Sequence, residues 1–128
     1  MAILLDTHAL LWWMNGNPRL SANARAAIEH GKTEVFASAA SAAELAIKVR
    51  LGALPEAARL TYRLTESLAE QGFRPLAISI AHGQLAGLMP GIHRDPFDRI
   101  LAAQSLIEGM PLVTSDPAFA VFGVEVVW

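Results

Sequence analysis

The chain has 128 residues, a formal net charge of −2 and no cysteine. A hydrophobic content of 53% excludes a disordered chain, and the length predicts one domain, residues 1–128, with a sizeable core. The lack of cysteine excludes disulfides, thiolate metal ligands and cysteine nucleophiles, and the acidic balance excludes a globally basic nucleic-acid binder.

Short apolar strands alternate with helices along the chain. The predicted elements are a strand over 2–6, helices over 7–14 and 22–30, a strand over 34–37, a helix ending at Gly52, a helix over 55–71, a strand over 73–78, a helix over 80–88, a helix over 96–108, and strands over 111–114 and 124–127. This alternation is typical of an α/β fold. We predict a three-layer α/β/α sandwich with a mostly parallel sheet of about five strands, whose order the pattern does not determine.

No membrane or export segment is predicted. The sequence has no uncharged apolar run of 18 residues, so we expect no membrane span. Its first residues lack a basic region and soon reach Asp6, which argues against a signal peptide. Together with the absence of cysteine, these features favour a cytoplasmic location.

Two predicted helices carry features that bear on later arguments. Ser41 and Glu44 have the spacing of a capping box at the start of the helix that ends at Gly52, with Ser38 as an alternative N-cap. The helix over 55–71 has an apolar stripe. The stripe consists of Leu60, Leu64 and Leu68.

Residues 93–104 combine a dense charge cluster with a firm helix start. Asp95 is a good N-cap, because its side chain can accept from amides that the first turn leaves unpaired. Pro96 suits the first helical position, and Asp98 falls at the third, near the positive end of the helix dipole. Either these acids only cap the helix, or they also bind a metal ion together with acids from other parts of the chain.

The acidic residues lie at predicted junctions between elements. Asp6 ends the first strand, Asp116 follows the fourth, and Glu44 lies early in the helix after the second. In a parallel sheet the carboxyl ends of strands and the amino ends of helices lie at one edge, where ligands bind. Acids distant in sequence can therefore share a pocket. Mutual repulsion among them favours a hard cation such as Mg²⁺ or Mn²⁺, which can activate water against a phosphodiester.

Each acid also has a purely structural interpretation. Asp95 and Asp116 each precede a proline, as ordinary N-caps do. Glu44 can pair with Lys48 at i,i+4, and Asp6 can start a turn. The histidines that we interpret as packing or surface residues are His8, His30 and His82.

Taken in order, these segments resemble the PIN-domain family, and in particular the VapC-type toxins of type II toxin–antitoxin modules. The matching segments span nearly the whole chain: residues 4–12, 41–48, 51–54, 95–104 and 112–116. Jointly they are specific, although each alone is not.

The resemblance implies a five-stranded parallel α/β/α sandwich and Mg²⁺- or Mn²⁺-dependent endoribonuclease activity through metal-activated water. It carries over Asp6, Glu44, Asp98 and Asp116 as the catalytic and metal-binding acids. Asp98 is preferred to Asp95, because the family's third acid directly precedes an apolar, alanine-rich helical run. Asp95 stays open as a cap or as a support for the ligands.

The resemblance also implies partners. These are RNA as substrate, a VapB-like antitoxin whose C-terminal tail blocks the acidic groove, and a second copy in a homodimer, with no membrane partner. We expect the twofold contact to use either Trp12 and Trp13 or the leucine stripe. By position alone, the candidate cations for RNA are Lys48, Arg50, Arg94 and Arg99, and the candidate residues for orienting carboxylates are Thr7 and Thr114.

Two rival interpretations stay open. The first is a non-catalytic PIN-like binding module whose acids only cap helices. The second is a receiver domain that transfers a phosphoryl group to an aspartate. A receiver expects an adjacent acidic pair after the first strand, whereas this chain has Asp6 followed by Thr7.

Overall fold

A computed structural model describes residues 1–91 and 93–128 and contains one five-stranded parallel sheet. The strand order is β3-β2-β1-β4-β5. The strands are β1 Ala2–Leu5, β2 Glu34–Ser38, β3 Arg74–Leu76, β4 Leu112–Val113 and β5 Val126–Val127. The predicted α/β fold with five parallel strands is confirmed, and most predicted strands exceed the observed ones by a residue or more.

Seven α-helices connect the described strands, together with two 3₁₀ segments, Pro55–Ala57 and Pro117–Phe122. The α-helices are α1 Thr7–Asn15, α2 Ala22–Glu29, α3 Ala39–Arg50, α4 Ala58–Tyr62, α5 Leu64–Gln71, α6 Ile80–Leu88 and α7 Pro96–Glu108. In residues 1–91 and 93–128, no helix has both the length and the apolar character needed to cross a membrane.

Alternation along β1 divides the core into two layers. Ile3 and Leu5 face one layer, which includes Leu10 of α1, whereas Leu4 faces the other, which includes Leu101 of α7. Successive side chains of a strand point to opposite faces, so a strand with both faces covered must be apolar throughout. This explains the unbroken apolar run at the N-terminus and confirms the three-layer sandwich.

The predicted single helix over 55–71 is wrong. The chain forms the 3₁₀ turn Pro55–Ala57 and then α4, and it breaks at Arg63, whose φ of −125° and ψ of 29° lie outside the helical region. After the break, α5 begins. Leu60 and Leu68 are both buried in the core that contains α1 and β1, and Leu64 packs against it, so the leucine stripe faces inward on both sides of the break.

Both surfaces that we expected for a homodimer pack against the chain's own core, but to different extents. The Trp12 ring packs 5.9 Å from that of Trp128, and the Trp13 ring packs 6.0 Å from that of Phe73, measured between centroids. Both tryptophans are partly buried against the chain's own core, as is the leucine stripe. The leucine stripe faces inward, so the expectation about that surface is wrong. The tryptophans stay partly exposed, so a contact through them stays a prediction, as does the homodimer itself.

Helix α3 begins three residues earlier than the capping-box pattern predicted. Ser38, the alternative N-cap, accepts from the amide of Ala40 at 2.9 Å and donates to Oε1 of Gln104 at 2.6 Å. Ser41 instead lies inside the helix, where its Oγ accepts from the Thr7 hydroxyl at 3.0 Å. Because β2 extends to Ser38, the helix starts directly at the strand end, and Glu44 falls in its second turn.

We expect Ser38→Ala to lower the free energy of unfolding by about 2 kcal/mol, because it removes the N-cap of α3 and leaves Gln104 without its donor. Urea denaturation measures this loss. The matched control is Ser67→Ala on α5, where we expect a change within about 0.5 kcal/mol. Equal effects of the two substitutions would contradict the role of Ser38.

Candidate active site

The order of the strands reverses between β1 and β4. From β1 the chain proceeds outward through β2 and β3, and it then returns to the other side of β1 for β4 and β5. Asp6 directly follows β1, and Asp116 follows β4 after two residues. In parallel α/β folds the ligand crevice lies at this point, outside the carboxyl ends of the strands.

A cleft of about 470 Å³ lies at this edge of the sheet and is rich in acids. Five carboxylates line it: Asp6, Glu44, Asp95, Asp98 and Asp116. The other lining residues are Thr7, His8, Trp12, Lys48, Ser115 and Pro117. The structure therefore places all four predicted site acids, and Asp95 with them, around one cleft.

Asp6 is a buried carboxylate that also caps a helix. It is 7% exposed, and its Oδ1 accepts from the amide of Ala9 at 2.7 Å at the start of α1. Burial raises the pKa of Asp6 to about 6, although hydrogen bonds from the Thr114 hydroxyl and the Ala9 amide act in the opposite direction. The charges of Glu44 and Asp116 add to the increase.

Glu44 has one satisfied oxygen and one without a partner. Its Oε2 lies 2.7 Å from Nζ of Lys48, one turn further along α3. Oε1 is buried and has no hydrogen-bond partner among the described residues. A buried anionic oxygen without a partner is costly, and a cation in the cleft would satisfy it. The hydrogen bond that Lys48 donates to Glu44 raises the pKa of Lys48, and the charges of Asp95 and Asp98 contribute.

Asp95 and Asp98 differ in their contacts. Asp95 caps α7, because its Oδ1 accepts from the amides of Phe97 at 2.9 Å and of Asp98 at 3.2 Å. Asp98 caps nothing, and its Oδ2 lies 2.9 Å from Nε2 of His93. Burial, together with the charges of Asp95 and Glu44, raises the pKa of Asp98 to about 6, although the hydrogen bond to His93 acts in the opposite direction.

Asp116 is exposed and begins the 3₁₀ segment after β4. Its Oδ1 accepts from the amide of Ala118 at 2.9 Å, and its own amide donates to Oγ1 of Thr114 at 3.0 Å. Thr114 thus contacts both Asp6 and Asp116, in agreement with its predicted role beside the carboxylates. Thr7 also lines the cleft, but its hydroxyl donates to Ser41 and joins α1 to α3.

The carboxylates that line the cleft are suitable ligands for a hard cation. Carboxylate oxygens are the ligands that Mg²⁺ and Mn²⁺ prefer, and the lone Glu44 oxygen and the raised pKa values of Asp6 and Asp98 indicate uncompensated negative charge. As they stand, no three acidic or histidine side chains of residues 1–91 and 93–128 surround one point closely enough to hold an ion. Helix amides bind Asp6 and Asp116, Lys48 binds Glu44, and His93 binds Asp98. Some of these carboxylates must therefore rotate before they can bind the same metal ion.

Comparisons with known proteins agree with this geometry. The family model that matches is the PIN domain, over residues 3–125. The chain belongs to the PIN-domain family. It is also 35% identical to Ribonuclease VapC22 of Mycobacterium tuberculosis, over 89% of this chain and 86% of that protein. Family membership argues against the receiver-domain rival.

Two solved structures have the same fold as this PIN domain. One is VapBC2 from Rickettsia felis bound to a DNA fragment from its promoter, with a TM-score of 0.63 and 17% identity over 98% of this chain and 97% of that one. The other is FitAcB from Neisseria gonorrhoeae, with a TM-score of 0.67 and 23% identity over 98% and 96%.

Among the described residues of the PIN domain, Lys48 is the one lysine or arginine that lines the cleft. Arg50 and Arg94 are exposed, and neither is among the residues that line the cleft. The prediction that Arg99 provides a cation for RNA does not match the structure, because its guanidinium bonds to the backbone. The carbonyl oxygens that accept from Arg99 belong to Ala86, Met89 and His93.

Sequence reasoning missed two histidines of this PIN domain. His8 is a surface residue, as interpreted, but the surface is the cleft, and its ring lies 5.5 Å from that of Trp12. Its position two residues after Asp6 places it at the same sheet edge, so the argument used for the acids could have found it. His93 contacts Asp98, and no spacing rule predicted that contact. His82 is buried in a capping box of α6, which confirms its packing role.

The raised pKa of Asp6 predicts a pH-dependent stability of the metal-free PIN domain. An acid with a folded pKa of about 6 and an ordinary value of 3.8 binds protons more readily when folded, so its ionisation costs stability as pH rises through this range. Asp6→Asn keeps an oxygen for the Ala9 amide but cannot ionise. We expect the mutant to gain on the order of 3 kcal/mol over wild type above pH 6, and less than about 1 kcal/mol near pH 4.

Urea denaturation in EDTA from pH 4 to 8 measures this difference. Glu125→Gln is the control, because Glu125 is exposed and lies away from the cleft. If the difference between Asp6→Asn and wild type stayed constant with pH, the charge of Asp6 would not be the cause.

Proposed function

We propose that this protein is an endoribonuclease, the toxin of a VapBC-type toxin–antitoxin pair, and that it uses Mg²⁺ or Mn²⁺ to cleave RNA phosphodiester bonds. The observation that carries the proposal is the acidic cleft between β1 and β4, where Oε1 of Glu44 is buried and has no hydrogen-bond partner in residues 1–91 and 93–128. Membership of the PIN-domain family supports it, as does the 35% identity to a protein named as a ribonuclease.

In this proposal Asp6, Glu44, Asp98 and Asp116 hold the metal. A bound divalent cation supplies Lewis acidity, which lowers the pKa of water and offsets charge on the phosphate. The chain's own contacts keep the four acids at the cleft: the start of α1 fixes Asp6, and Thr114 lies between Asp6 and Asp116. The side chain of Lys48 is 38% exposed, and its ammonium offers positive charge to an RNA phosphate.

The alternative, a binding module whose acids only cap helices, explains part of the site. Asp6, Asp95 and Asp116 each accept a hydrogen bond from an amide at the start of a helix. Glu44 and Asp98 do not, since one lies in the second turn of α3 and the other contacts His93. Capping therefore accounts for three acids, and the remaining two favour a site that binds a cation.

Asparagine substitutions at Asp98 and Asp95 discriminate between the two functions. Asparagine caps helices about as well as aspartate, so Asp95→Asn keeps the start of α7 and should cleave RNA at a rate close to wild type. Asp98→Asn removes one of the proposed ligands, so Mn²⁺ affinity and cleavage should both fall by at least about tenfold. Calorimetry and an RNA cleavage assay measure these effects. Normal cleavage by Asp98→Asn would remove Asp98 from the catalytic set, and no metal-dependent cleavage by wild type would favour the binding module.

We further propose a VapB-like antitoxin as the partner and the cytoplasm as the place of action. The protein named VapBC2 and the FitAcB structure share this fold, and the cleft without metal is strongly anionic, so a basic side chain of a partner suits it. We expect expression of this chain alone to arrest growth, and co-expression with a small protein encoded beside it to relieve the arrest. The Asp98→Asn variant is the control and should arrest nothing. Harmless expression of the wild type would contradict the toxin role.

A further inference from the structure

We propose that His93 is a positioning residue, which holds the carboxylate of Asp98 in the orientation that the site requires, and that Arg99 in turn holds His93. The inference deepens the proposed function and rests on the role given there to Asp98. His93 does not line the cleft itself, so any effect on a bound metal or substrate must pass through Asp98.

The contact between the two side chains is well defined. Nε2 of His93 lies 2.9 Å from Oδ2 of Asp98, and the two side chains are only 20% and 18% exposed. A carboxylate can only accept hydrogen bonds, so in the ionised state of Asp98 the proton lies on Nε2 of the histidine. One oxygen of Asp98 is therefore held by His93, while the Asp98 side chain still lines the cleft.

The histidine ring is itself enclosed by aromatic side chains. Its centroid lies 6.2 Å from that of Phe119 in an edge-on arrangement and 5.8 Å from that of Phe122. Both phenylalanines belong to the 3₁₀ segment that Asp116 begins. The segment that carries one proposed metal ligand thus packs against the residue that orients another.

Arg99 fixes the backbone of His93. Its Nη1 donates to the carbonyl oxygen of His93 at 2.9 Å, and its Nε donates to that of Ala86 at 2.7 Å. A further bond reaches the carbonyl oxygen of Met89, and the guanidinium lies 5.3 Å from the ring centroid of Phe122. Arg99 directly follows Asp98 in α7, so the ring and the backbone of His93 are both tied to the first turn of that helix.

Hydrogen bonds of this kind matter because they hold metal ligands in the orientation that binding needs. Loss of a residue that hydrogen-bonds to a metal ligand typically lowers metal affinity or activity by about 10- to 100-fold. A residue that only packs would instead change stability and leave metal affinity alone. The two roles therefore predict different measurements on the same variants.

Glutamine and asparagine at position 93 form a matched pair. In His93→Gln the side-chain amide can donate from about the place of Nε2, whereas in His93→Asn the amide is one carbon shorter and cannot reach Asp98. We expect His93→Asn to lose about 10- to 100-fold in Mn²⁺ affinity and in kcat, with KM for RNA unchanged, and His93→Gln to recover most of both. Calorimetry on the RNA-free protein measures the affinity, and a cleavage assay gives kcat and KM.

A spectroscopic measurement covers the case in which His93→Asn does not fold. In the metal-free protein with ¹⁵N-labelled histidine, Asp98→Asn should shift the Nε2 resonance of His93, whereas Glu125→Gln, at an exposed position away from the cleft, should leave it in place. An Nε2 resonance that is the same in both variants would overturn the inference.

The outcomes separate this inference from the proposed function. If wild type binds Mn²⁺ and cleaves RNA while His93→Asn matches it, the positioning role is wrong and the proposed function stands. Equal losses in His93→Gln and His93→Asn would also overturn it, because the donor would then not be the cause. If wild type neither binds Mn²⁺ nor cleaves RNA, the proposed function is wrong, and the positioning role that rests on it is wrong as well.

Discussion

The crowding of negative charge in one partly buried cleft is the constraint on which the rest of the site depends. Burial, together with the charges of neighbouring carboxylates, raises the pKa values of Asp6 and Asp98 to about 6. Each acid is held by a separate partner: a helix amide for Asp6 and Asp116, Lys48 for Glu44, and His93 for Asp98. These partners keep the charges apart, and the energetic cost that remains is the kind that functional sites carry.

Helix capping and site chemistry use the same positions in this fold. In a parallel sheet every helix that follows a strand begins at the carboxyl edge, so its N-cap faces the crevice where ligands bind. Asp6 and Asp95 therefore satisfy amides of α1 and α7 while they line the cleft. A structural role for these aspartates does not argue against a chemical one. Glu44 and Asp98 are more informative, because among the described residues neither accepts a hydrogen bond from an amide at the start of a helix. Capping therefore does not explain why these two acids lie at the cleft.

In the first turn of α7, one residue lines the cleft and the next supports the surrounding backbone. Asp98 faces the cleft, and the neighbouring Arg99 uses its guanidinium on backbone carbonyls at the end of α6 and in the following loop. As a result, Arg99 is not free for RNA, and Lys48 is the cation that the described cleft offers. An arginine beside a proposed catalytic acid can thus support the geometry of the site without touching a substrate.

The sequence by itself determined the fold class, the cap of Asp95 and the acids that line the cleft, because apolar runs and capping residues report local backbone preferences. It did not determine the break at Arg63 between α4 and α5. The strand order that brings Asp6 beside Asp116, and the contacts that join His93 to Asp98 and Arg99 to the loop, were decided by tertiary structure. Those contacts depend on how elements pack around the sheet, which local sequence patterns do not encode.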